Sequence, residues 1–138
     1  MRATAGSTSK LPLSVTGAVE AATGLGLLAA PSVVVELLLG ATPGTSAGAT
    51  VSRVAGVALL TLGVACWLAR QDASSRAAKG LITAMLLYNV GVVAVLVLAW
   101  TSLAPVGIAF WPVVVAHAGL GAWCAATLST RTVEAKRS

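Results

Sequence analysis

Between Gly80 and Trp100 the chain runs for 21 residues without one charged side chain, and no other feature limits its fold so strongly. About 20 apolar residues in a helix cross the hydrocarbon of a bilayer. The run does not alternate in polarity, which separates it from the short alternating segments of a membrane β-barrel. Three comparable runs follow the same logic: Leu11–Ala30, Val51–Ala69 and Val106–Leu128. Only 9% of the 138 residues are charged and the mean hydropathy is +0.92. A soluble domain carries about a quarter charged residues, so this chain could not cover a surface facing water. In lipid the backbone must satisfy its own hydrogen bonds. The expected fold is therefore all-α: a polytopic membrane protein, built as an antiparallel bundle of four transmembrane helices joined by short loops.

The segments between the runs read accordingly. Residues 1–10 are small, polar and basic and are expected to form a disordered tail. A signal peptide is disfavoured by Glu20 inside the apolar run and by Leu28, which would stand three residues before a cut after Ala30. Pro31 should end or kink the first helix. Residues 32–39, SVVVELLL, are too short to span and read as a surface segment, followed by an uncharged Gly/Pro/Ser/Thr loop over 40–50. Residues 70–79 form the only charged internal loop, 101–105 a tight turn, and 129–138 a basic tail.

Eight of the nine basic residues fall before the first run, between the second and third, or after the fourth. By the positive-inside rule both termini are expected in the cytoplasm, with the protein in the cell membrane. Trp67 falls near the inner interface, and Trp100 and Trp111 near the outer one, as aromatic belts require. The net charge of +5 thus reports orientation and gives no nucleic-acid signature. The partners it leaves are membrane lipid, a small lipophilic ligand, a second copy of the chain or a membrane complex.

Polar residues gather at the centres of the runs. Glu20 is the tenth residue of its run, Asn89 the tenth, beside Tyr88, His117 the twelfth and Thr61 the eleventh. All four then sit near the bilayer midplane. Glu20 shares a helix face with Thr16, Gly17, Thr23 and Gly24, opposite Val15, Ala22 and Ala29, and should look inward. A charge at the bilayer centre costs about 2.5–3.5 kcal/mol on insertion scales and normally finds a partner or a cavity. His117 is the expected partner of Glu20, on a face with Val113, Val114, Leu120, Gly121 and Cys124. Such a pair could relay a proton, act as acid and base, or bind a polar headgroup; equally it could fix helix register alone. Arg53, about 26 Å from Arg70 along a helix, falls at the outer boundary. It is expected either to pair with Glu36 or to anchor an anionic group. The candidate ligand-binding residues are Glu20, Arg53, Tyr88, Asn89 and His117, and the candidate catalytic residues Glu20 and His117. One histidine and one carboxylate are too few for a metal centre. Cys66 and Cys124 lie inside apolar runs, outside any CxxC, and read as inert thiols. No cofactor is implied.

Glu20 in the first helix, the stretches Ala30–Gly40 (APSVVVELLLG) and Ser52–Arg70 (SRVAGVALLTLGVACWLAR), Tyr88-Asn89 and His117 together resemble small bacterial four-helix membrane proteins of unknown function grouped near the DoxX-like superfamily. The resemblance covers about residues 11–128 and implies a four-helix bundle without settled chemistry. The membrane-embedded Glu20 alone also resembles the small multidrug transporters, which implies proton-coupled transport. The chain departs from them in its basic loop, the segment after Pro31 and His117. The functional expectation is a protein that binds a small lipophilic ligand, or a non-catalytic subunit, around a midplane polar network. A transporter using Glu20 and a lipid-modifying enzyme using Glu20 and His117 are the alternatives.

Overall fold

The computed structural model describes residues 4–103 and 105–137. The described chain is all-α: α1 (Thr4–Ala29), α2 (Pro31–Leu39), α3 (Ser46–Ala69), α4 (Arg76–Trp100) and α5 (Phe110–Arg137), with a 3-10 turn at Arg70–Asp72. Four of these helices hold stretches long and apolar enough to cross a membrane: Lys10–Ala29, Ser46–Asp72, Arg76–Trp100 and Phe110–Thr130. The side chains confirm an inside-out arrangement. Val54, Leu68, Leu87, Val95, Leu98 and Val115 are exposed, whereas Thr16, Glu20, Asn89 and Thr127 are buried. A surface of that kind suits lipid and not water.

Each helix is longer than the run that announced it, or shifted, for local reasons. α1 begins at Thr4, so residues 4–10, expected as a tail, extend the helix; residues 1–3 lie outside the described residues. Once a helix is nucleated, each added residue brings its own hydrogen bond. α3 begins at Ser46 and not at Val51, because the Thr45 hydroxyl caps it by accepting from Gly48 N at 3.0 Å. Ser75 does the same for α4 with Ala78 N at 3.1 Å, which moves its start from Gly80 to Arg76. α5 starts later than expected, at Phe110, and continues to Arg137 through the segment expected as a tail. That segment holds good helix formers, among them Glu134, Ala135 and Lys136.

The late start of α5 has a cause in α2. Three carbonyls at the end of α2 would have no partner within it. Glu36 O accepts from Gly40 N, Leu37 O from Ala109 N at 2.8 Å and Leu38 O from Gly107 N at 3.2 Å. The segment before α5 is thus held against α2, and the expected tight turn at 101–105 becomes a longer connection. Gly40 closes α2 in the left-handed region at φ 75°, and a Cβ there would collide with the Pro105 carbonyl. Gly40→Ala is therefore expected to lower stability by about 1–3 kcal/mol, read as a fall in the thermal midpoint of the protein in detergent.

α1 packs along α3 and α4 along α5, and the two pairs meet where α1 touches α5 and α3 touches α4. The α1–α3 contact is backbone against backbone. Gly17 faces Gly63 and Gly24 faces Gly56, seven residues apart on each helix. Two apolar clusters fill the interior. One holds Leu13, Cys66, Ile82, Met85 and Cys124 near the 70–75 turn; the other holds Leu96, Phe110 and Val114 beneath α2. Trp100 and Trp111 meet edge to face, 5.4 Å apart, at the α2 end. At the opposite end the Arg70 guanidinium lies 3.5 Å over the Trp67 ring.

Candidate functional site

The polar residues lie between the two apolar clusters. On α1 the face of Leu13, Thr16, Gly17, Glu20 and Gly24 is buried at helical spacing, and Val15, Ala22 and Ala29 are exposed on the other side. Thr23 departs from the expectation: it is exposed and returns its hydroxyl to Val19 O at 2.9 Å. Glu20 is 1% exposed, so it does look inward.

Its partner is not His117. Tyr88 Oη donates to Glu20 Oε2 at 3.2 Å, reaching from α4 to α1 across the bundle. His117 is engaged by the next residue of α4, with its Nδ1 2.7 Å from Asn89 Oδ1. The reason is the twist of α4. Consecutive side chains on a helix point about 100° apart, so Tyr88 turns to α1 while Asn89 turns to α5. The two bonded pairs still touch, because the Tyr88 and His117 rings meet edge to face at 5.7 Å. The sequence brings Glu20, Tyr88, Asn89 and His117 into one layer, but in pairs that counting along the chain does not give.

The hydrogen bonds fix the tautomer of His117. Asn89 Nδ2 donates to the Met85 carbonyl at 2.7 Å. A carbonyl only accepts, so the amide nitrogen lies on that side and Oδ1 faces the ring. The imidazole must then donate from Nδ1, which leaves Nε2 as its second hydrogen-bonding position. Asn89 is wholly buried and His117 partly exposed.

His117 lines a groove of about 310 Å³ between α4 and α5. Val90 and Val93 of α4 and Ala118 and Ala122 of α5 form its apolar walls, and Asn89 and His117 are its polar residues. The groove exists because α5 offers small side chains there, Ala118, Gly121, Ala122 and Ala125, beside branched residues of α4. Of these only Gly121 was expected on the His117 face; the alanines carry no signal that distinguishes a groove wall from ordinary helix.

Thr61 and Arg53 do not join the layer. Thr61 is exposed on α3 and bonds Ala58 O in its own helix at 2.9 Å. Arg53 Nε donates to the Leu28 carbonyl at 3.4 Å in place of the expected pairing with Glu36. It thereby meets one of the last carbonyls of α1, where a cation is favoured by the helix dipole. Cys66 and Cys124 are free and buried in the same apolar cluster.

No family model, no curated protein and no solved structure matches the chain. The DoxX-like resemblance gains no support from these comparisons.

Proposed function

We propose that the protein binds a small lipophilic molecule within the membrane, in the groove between α4 and α5, with His117 meeting the molecule's polar group. The observation that carries this reading is an apolar groove of ligand size with one imidazole in its wall. Asn89 holds that imidazole in a single tautomer, so its orientation is set before any ligand arrives. The ligand class follows from the lining: a hydrocarbon body with one hydroxyl or carbonyl. In this reading both termini are cytoplasmic and the groove opens toward the lipid. A transporter or an acid–base enzyme needs Glu20 to meet its substrate. The Glu20 carboxylate is sealed and held by Tyr88, whereas His117 lines the groove.

The test uses a fatty alcohol carrying a photoactivatable diazirine, added to the protein in lipid nanodiscs. Crosslinks are expected on α4 and α5 around Val90 and Ala118. Ala118→Phe places a ring in the groove from an exposed position, and it is expected to cut labelling at least tenfold without altering the thermal midpoint. His117→Ala is expected to reduce labelling about fivefold, the scale of one hydrogen bond. Labelling spread evenly over the lipid-facing surface, and indifferent to Ala118→Phe, would sink the proposal.

A further inference from the structure

We infer that α1 holds a buried, water-sized polar guest between Thr16 and Glu20. Among the described residues, two buried side-chain polar atoms have no hydrogen-bond partner, Thr16 Oγ1 and Glu20 Oε1. They stand one helical turn apart on the same inward face, on residues that are each 1% exposed.

Chance placement does not account for Thr16. A serine or threonine inside a helix can return its hydroxyl to a carbonyl of the preceding turn, most often here the one four residues back. Ser14, Ser52, Thr83 and Thr127 all take it, at 2.8–3.0 Å. Thr16 is as buried as Thr127 and does not. Its hydroxyl, which can both donate and accept, stands one helical turn before the Glu20 carboxylate, whose free oxygen needs a donor. The other oxygen, Oε2, is already held by Tyr88. One water satisfies both groups, donating to Oε1 and exchanging a hydrogen bond with Oγ1.

The setting selects the guest. Both atoms are sealed, so a lipid headgroup or an organic cation has no route to them at that size. A hard metal cation takes about six oxygens. Among the described residues no three His, Cys, Asp or Glu side chains gather to supply a metal site. Buried water, by contrast, is commonly held by two to four polar groups. The consequence is chemical: a carboxyl at mid-membrane is solvated from inside and linked through Tyr88 to the layer that holds His117. This inference stands apart from the groove and from whatever occupies it.

The experiment is water-edited solid-state NMR on threonine-labelled protein in lipid bilayers, which follows magnetisation from water into each side chain. Thr127 is the internal reference, equally buried but bonded to Trp123 O. The Thr16 signal is expected to build up several-fold faster than that of Thr127; equal or slower build-up overturns the inference. Thr16→Val gives an independent reading, since it exchanges hydroxyl for methyl at nearly constant volume. A dry, unpartnered hydroxyl is a burden whose removal raises the thermal midpoint. A hydroxyl bonded to water is a support, so a fall of several degrees is expected, and a rise or no change counts against it.

Discussion

Gly24→Val is expected to leave almost no folded protein. A Cβ at Gly24 would lie 2.6 Å from both Gly56 O and Leu60 N. Both are backbone atoms of α3, so no rotamer change relieves the clash; the helices must part. The reciprocal position is as tight, with a Cβ at Gly56 meeting Gly24 O at 2.8 Å. Overpacking a filled core costs about 1–3 kcal/mol when side chains can yield, and here they cannot, so a loss of about 3 kcal/mol or more is expected. The same movement would carry Thr16 and Glu20 away from α4, because they lie on the face that the glycines set. Gly119 is the control: nothing lies within 4 Å of a Cβ there. Gly119→Ala is expected to change stability by less than about 1 kcal/mol. The measurement is the monodisperse fraction on size exclusion together with the thermal midpoint. Wild-type behaviour of Gly24→Val would mean that α1 and α3 are not packed backbone to backbone.

How much of this was legible in the sequence differs between elements. The four spans follow from hydrophobic length, which is a one-dimensional property, and they stand as expected. Their ends do not, because ends are set by single contacts. The Thr45 and Ser75 caps move two starts by several residues, and the α2 carbonyls delay α5. Level along the bundle was also legible: Glu20, Tyr88, Asn89 and His117 do share a layer. Partnership was not, since it depends on helix rotation, and a rotation of 100° exchanges one neighbour for another. Hence Glu20 meets Tyr88, Asn89 meets His117, and Thr61, at the same nominal depth, faces away from the bundle. The small residues of α1 were visible as a packing face. That Gly56 and Gly63 answer them on α3 needs the register of two helices, which one helix pattern does not contain.

Tyr88→Phe is expected to be the most damaging single-atom change in the polar layer. The variant keeps the ring and its edge contact with His117 and removes only the hydroxyl that donates to Glu20. Glu20 would then have no side-chain donor at either oxygen while remaining 1% exposed. Leaving a buried acceptor without its donor costs about 1–3 kcal/mol, and more for a charged group. A loss of about 2–3 kcal/mol is therefore expected, measured by unfolding in bicelles. The double variant Glu20→Met/Tyr88→Phe replaces both partners by apolar side chains of similar shape. Paired removal of buried polar groups is often nearly neutral, so the double variant should be more stable than Tyr88→Phe alone. The coupling expected from this cycle is about 1–2 kcal/mol; strict additivity would mean that the two side chains do not support each other. The cycle also separates two roles of α4. Asn89 holds the groove's imidazole on α5, while Tyr88 holds Glu20 on α1. Photolabelling of the groove should therefore survive Tyr88→Phe at temperatures below its lowered midpoint. In that case the carboxylate fixes how the helix pairs are joined, and the histidine alone meets the ligand.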